Sequence, residues 1–132
     1  MSRPENLGNL KEGNYVVIDN EPCQVVSVAH SKPGKHGAAK VRLVAIGVFD
    51  DVKRNMVGPV TTRVDVPIIE KKTAQVVSTS EESIQLMDLE NYDVFWGELP
   101  SEEKIREKLE PGVEVEYWVV LGKKKIMRVR GS

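Results

Sequence analysis

Lys35 and His36 are the residues in this chain with the most chemical promise. They stand between Gly34 and Gly37 in the stretch Ser31-Lys32-Pro33-Gly34-Lys35-His36-Gly37-Ala38-Ala39-Lys40. A lysine ε-amine is a flexible point charge and an accessible target for covalent addition. A phosphate-cradling Walker loop is excluded, because His36 stands where a serine or threonine would hold magnesium and Ala29 replaces the first glycine. A lysine nucleophile needs burial or a neighbouring cation inside a pocket, and an open loop offers little desolvation. What remains is a projecting cation, in most proteins simply a solvated one. Its surroundings are unusual, however. No acidic residue occurs between Glu21 and Asp50, whereas Lys32, Lys35, Lys40 and Arg42 all lie there. A chain of net charge −1 has gathered positive potential at one place, which suits a phosphate-rich partner.

The elements that must position this stretch are two strands. Cys23 to Ala29 before it and Val41 to Phe49 after it are apolar and β-branched, and Pro33-Gly34 with Gly37 supplies the turn residues between. The pattern predicts a hairpin that holds Lys35 and His36 at its tip. A strand at Tyr15 to Asp19 follows a polar leader, and Asn20-Glu21-Pro22 turns the chain into Cys23 to His30. Ala39 to Phe49 is long for one strand, so Gly47 is expected to mark a bulge or sharp bend. Val52 to Val57 and Thr61 to Val66 read as short strands separated by Gly58-Pro59. Closely spaced short strands with Gly/Pro turns predict a small barrel.

The ten residues from Ser31 to Lys40 closely resemble the hypusine loop of the translation initiation factor 5A family, in its archaeal form. The likeness runs along nearly the whole chain and includes Val66-Pro67-Ile68-Ile69-Glu70-Lys71-Lys72. Eukaryotic members usually carry threonine where Pro33 stands and histidine where Ala38 stands, and the Gly-Lys-His-Gly centre is intact here. The resemblance implies an SH3-like first domain over residues 1–69 and an OB-fold second domain over residues 70–132. It implies that deoxyhypusine synthase transfers an aminobutyl group from spermidine onto Lys35, sometimes followed by hydroxylation. That covalent group takes the place of any cofactor. Ser31, Lys32, Pro33, Gly34, His36 and Gly37 form the modification loop around it. The implied partners are the ribosome and peptidyl-tRNA, and the implied effect is support of peptide-bond formation at difficult sequences such as proline runs. The related bacterial elongation factor P has a third domain, for which 132 residues leave no room.

Composition frames these expectations. With 40% hydrophobic and 30% charged residues the chain is ordinary globular protein. One cysteine, Cys23, forbids an intrachain disulfide, and with two histidines it makes no zinc set. Its place in a strand pattern makes it a small core residue. No signal peptide is visible at the N-terminus. The run Val41 to Phe49 is interrupted by Arg42 and too short to span a bilayer. A cytoplasmic protein without a membrane partner is expected.

The second half begins at a hinge. Pro67 breaks the strand pattern, Ile68 and Ile69 point to a partly packed linker, and Glu70-Lys71-Lys72 restarts polar. Strands follow at Ala74 to Ser78, Ile84 to Leu89 and Asp93 to Glu98. A helix is predicted with Ser101 as N-cap, Glu102 and Glu103 in its first turn, and Ile105 and Leu109 on one face. Pro111-Gly112 stops it. Val113 to Leu121 and Lys125 to Arg130 close as a hairpin around Gly122-Lys123. Strands, one short helix, then strands fit a five-stranded barrel of OB type. The fold class is therefore all-β, two small barrels with one short helix.

Candidate RNA contacts are Lys32, Lys40 and Arg42 beside the loop, and the run Lys123, Lys124 and Lys125 with Arg128 and Arg130. Solvated strand cations, or a charged hairpin that blunts edge pairing, remain the alternatives. His36 either orients the arm, contacts RNA or the modifying enzyme, or is an exposed histidine without a dedicated role. Tyr92, Phe95, Trp96, Tyr117 and Trp118 could stack bases, although a small barrel needs most such rings as filling. Paired carboxylates in a shared motif, a nucleophile elbow and metal-ligand spacing are all missing, so a non-enzymatic factor is expected. A generic RNA-binding or ribosomal protein with an unmodified basic loop is the other reading.

Overall fold

The computed structural model describes residues 2–31 and 39–130. The chain divides into two units, Met1–Ile68 and Ile69–Ser132. The first contains β1 (Ser2–Asn6), a 3-10 turn (Leu7–Asn9), β2 (Tyr15–Ile18), β3 (Glu21–Ser31), β4 (Lys40–Gly47), β5 (Lys53–Pro59) and β6 (Arg63–Pro67). β2-β3-β4-β5 is a four-stranded antiparallel sheet, and β1 pairs with β6. Alternation along β4 sends Val41, Leu43 and Ala45 inward and Lys40 and Arg42 outward. The inward side chains join Leu7, Leu10, Val16, Ile18, Cys23, Val25 and Val64 in one core. Cys23 is buried there as expected.

The second unit contains β7 (Ile69–Thr79), β8 (Ser83–Asp88), β9 (Val94–Glu98), α1 (Glu103–Arg106), β10 (Glu114–Val120) and β11 (Lys123–Val129), in sheet order β11-β10-β7-β8-β9. Its own core gathers Ala74, Val76, Ile84, Leu86, Leu109, Val115, Tyr117 and Ile126. The molecule is all-β, an SH3-like barrel followed by an OB-type barrel with a single short helix among the described residues.

Several local expectations are corrected. The polar leader is a strand: Ser2–Asn6 pairs residue for residue with β6, Ser2 opposite Pro67 and Asn6 opposite Arg63. Backbone pairing alone recruits it, so no apolar alternation announces it. Gly58-Pro59 does not separate strands, since both lie in β5, and the chain turns at 60–62. Pro59 is tolerated at the end of an edge strand, where a missing N–H costs no ladder bond. Of the two expectations for Gly47, the sharp bend is the one observed, since β4 ends there in a turn; the bulge lies in β3, between Val25 and Ser27.

The hinge contracts to Ile68, because β6 runs through Pro67 and β7 starts at Ile69. Lys71 and Lys72 are strand residues opposite Trp118 and Tyr117. β7 is accordingly twice the length its apolar centre suggests. The helix is one turn, capped at Glu102 without a side-chain bond, so Ser101 is not the cap. Leu109 lies beyond its end yet is buried. At the closing hairpin, Leu121 and Gly122 have positive φ, the signature of a tight two-residue turn. β11 therefore resumes at Lys123, two residues earlier than expected.

Candidate functional site

Lys32, Pro33, Gly34, Lys35, His36 and Gly37 lie outside the described residues. Their supports do not. β3 and β4 stay paired up to Ser31 opposite Lys40, so the segment that holds Lys35 is entered and left from adjacent, hydrogen-bonded strand ends. Two further contacts brace this end of the sheet. The Val60 N–H donates to the Ala39 carbonyl at 3.1 Å, and Lys40 lies opposite Pro59 on the other side. The turn at 60–62 is held in its own right: the Gly8 N–H donates to the Val60 carbonyl at 3.0 Å and the Leu7 N–H to the Thr62 carbonyl at 2.8 Å. Gly8 is required for that approach, because a Cβ there would lie 2.8 Å from the Val60 Cβ. The base of the loop is thus tied through the turn to Leu7, fully buried in the core.

On the outward face, Ser31, Lys40 and Pro59 form one row across the sheet, and Ala29, Arg42 and Val57 form the next. Lys40 and Arg42 are both exposed, two residues apart on one strand, so their stems emerge about 7 Å apart along it. Neither row contains a carboxylate. The structure brings these two predicted cations together beside the loop. Val57, more than half exposed at 56%, flanks Arg42. The sequence places Val57 in a strand, but its position beside Arg42 depends on the register of β4 against β5.

The second basic cluster does not hold together. Lys123, Lys124 and Lys125 are consecutive in β11, opposite Val120, Val119 and Trp118. Successive strand residues point to opposite faces, so the run is split between faces rather than gathered into one patch. Lys124 lies 3.9 Å from the Phe95 ring centroid, and Lys71 lies 4.9 Å from that of Trp118. Arg128 is bound to Glu116 at 2.9 Å, and Arg130 donates to the Thr73 hydroxyl at 3.1 Å. The aromatic set divides likewise. Tyr117 and Trp118 are buried and Phe95 packs against the core, whereas Tyr92 and Trp96 face solvent.

Asp50, beyond the end of β4 opposite to Lys40, and Asp88, in the second unit, are both carboxylates held below their ordinary range. Asp50 accepts hydrogen bonds from both terminal guanidinium nitrogens of Arg54, at 3.1 and 2.8 Å, and from the Val52 N–H, which together lower its pKa to about 2. Asp88 is fully buried. Burial pushes its carboxyl up, but hydrogen bonds from the Tyr117 hydroxyl and from the Glu90 and Asn91 N–H groups more than offset this and bring it below its usual value. Tyr117 is raised in turn, first by burial and then by Asp88. Both sites are structural clasps that close turns. Among the described residues no group of histidine, cysteine and carboxylate side chains could hold a metal, and no helix is long and apolar enough to cross a membrane.

Comparison with known proteins decides what this hairpin belongs to. Residues 1–62 match the family described as "Translation initiation factor 5A-like, N-terminal", and residues 68–130 match "Eukaryotic elongation factor 5A hypusine, DNA-binding OB fold". The "Translation initiation factor 5A" of Thermofilum pendens is 57% identical over 129 residues, 98% of each chain. The chain belongs to the translation initiation factor 5A family. The protein of that name from Caldivirga maquilingensis is likewise 57% identical, over 132 residues and 98% of each chain. The solved "Eukaryotic translation initiation factor 5A from Methanococcus jannaschii" superposes with a TM-score of 0.85 at 44% identity, covering 97% of this chain and 94% of the other. A translation-factor role follows for this member of the 5A family, and the gap between its two matched segments, from 62 to 68, ends beside the boundary of the two units at Ile68.

Proposed function

We propose that this protein binds the ribosome and acts there through a hypusine-type modification of Lys35. Deoxyhypusine synthase transfers the aminobutyl group of spermidine: the Lys35 Nζ forms a new bond to the carbon chain, and the remaining diamine leaves. The arm gains length and a second cationic nitrogen. Such a thin rod enters a narrow RNA-lined cleft and contacts phosphates and 2′-hydroxyls where a folded barrel does not fit. There it steadies peptidyl-tRNA in a reactive pose and helps slow junctions such as proline runs, with further service in initiation and termination. The chain performs no bond-breaking of its own on this reading; it lends positioning to another machine's active site. The site of action is the cytoplasm.

One observation carries the proposal. The Gly34-Lys35-His36-Gly37 centre falls between strand ends that are paired to their last residue and braced by Ala39–Val60, in a chain 57% identical to named 5A factors. Lys40 and Arg42 supply cations at its base for backbone phosphates.

The test is Lys35→Arg in reconstituted translation of a reporter with a proline run. Arginine keeps one charge but cannot accept the aminobutyl group. The variant is expected to fold as the parent does and to lose the stimulation. Equal stimulation by both proteins would contradict the proposal and favour an unmodified basic finger.

A further inference from the structure

In sheet order β9 is hydrogen-bonded to β8 and ends the sheet of the second barrel. Its outward side chains are Val94, Trp96 and Glu98, opposite Met87, Gln85 and Ser83 of β8. Trp96 is 57% exposed and Val94 is 52% exposed. Tyr92, which enters the strand from the preceding turn, is 69% exposed. Phe95, between Val94 and Trp96, points to the opposite side and packs against the core, so this barrel has kept two rings out of its interior. Large exposed apolar groups gathered on one face mark interaction sites.

Charge selects the class of partner. No lysine, arginine or histidine occurs between Lys72 and Lys104. Glu98 shares the face with Trp96, and exposed Glu90 and Asp93 rim the turn that carries Tyr92. The lysine that reaches β9, Lys124, lies against Phe95 on the other side. Single-stranded nucleic acid stacks on aromatic rings within a cationic groove, and this face is acidic. The same rings within an acidic rim attract ammonium and guanidinium groups. An extended peptide repeats its side chains on one side at the same spacing as Val94, Trp96 and Glu98.

We propose that the outward face of β8 and β9, centred on Trp96, docks an extended lysine- or arginine-rich segment of another protein. Apolar residues of that segment lie on Val94 and Met87, and its cations lie on Trp96 beside Glu98 and on Tyr92 beside Glu90 and Asp93. The site lies wholly within the second unit.

The test uses the full chain with a fluorescent ten-residue peptide of alternating lysine and valine. Controls are the glutamate–valine counterpart and a single-stranded oligouridylate. The lysine peptide is expected to bind, to shift the NMR signal of the Trp96 indole N–H, and to weaken as salt is raised. Trp96→Ala and Glu98→Lys, both at exposed positions, should each weaken it at least tenfold with unchanged thermal unfolding. Absence of binding would overturn the proposal, as would binding that both variants leave intact. So would a Trp96 shift produced by the oligouridylate rather than the peptide, or a chain dimer that Trp96→Ala dissolves.

Discussion

Asp88 shows how a single side chain can fix a barrel corner. Its Oδ1 accepts from the Glu90 and Asn91 N–H groups at 2.8 and 3.1 Å, while the Tyr117 hydroxyl donates to Oδ2 from a neighbouring part of the core. Tyr117→Phe removes one donor from a buried carboxylate, and urea unfolding should show a loss of roughly 1.5–3 kcal/mol. Asp88→Ala releases three donors at once and should cost more. Asp50 gives the pH counterpart. Its folded pKa, about 2, lies below the model-peptide value near 3.9, so its contribution is complete above that value and is lost as pH falls through the folded one. Asp88, also lowered, acts with the same sign. Melting temperature should therefore fall between about pH 4 and pH 2, and Asp50→Asn should flatten part of that fall. At this scale Lys35 stands out in the sequence as a candidate because glycines and an acid-free stretch isolate it. Asp88 could not, because an aspartate at a strand end reads as an ordinary turn residue until its partner Tyr117, far along the chain, is brought beside it.

Among the elements, the end of β4 is the most exacting. The Gly47 N–H donates to the Val52 carbonyl at 2.9 Å and its carbonyl accepts from the Asp51 N–H at 3.1 Å. A Cβ on Gly47 would fall 1.9 Å from the Asp50 Oδ1, so alanine must displace the carboxylate from Arg54. Gly47→Ala should destabilise the chain by about 1–3 kcal/mol, read as a lower melting temperature. Asp50→Ala in the same background should recover part of that loss. The strands with alternating apolar residues, β2 through β4 and β8 through β10, were legible because burial on one face writes itself into the sequence. β1 was not, since it is held by backbone pairing to β6 and buries little. The Lys123–Lys125 run misled for a geometric reason: three like charges in a row look like a patch, but a strand deals them to alternate faces. The hinge misled as well, because Lys71 and Lys72 read as linker although long-range pairing with β10 makes them strand.

At the scale of the molecule, charge is sorted by segment even though the total is −1. The region from Pro22 to Phe49 carries cations only, and that from Thr73 to Glu103 carries anions only. On the proposed function the first of these meets ribosomal RNA. Ribosome affinity should fall as salt rises, and Lys40→Glu with Arg42→Glu should weaken binding with little change in folding stability. Each phosphate contact removed should lower the slope of log affinity against log salt by about 1. An unchanged slope would show that these cations face solvent in the bound state. The account turns on the covalent state of one amine, and mass spectrometry of the Ser31–Lys40 peptide, from protein purified out of its native host, reads it directly. An aminobutyl or hydroxylated aminobutyl increment confined to Lys35 is the predicted result. A peptide found wholly unmodified at Lys35 would contradict it.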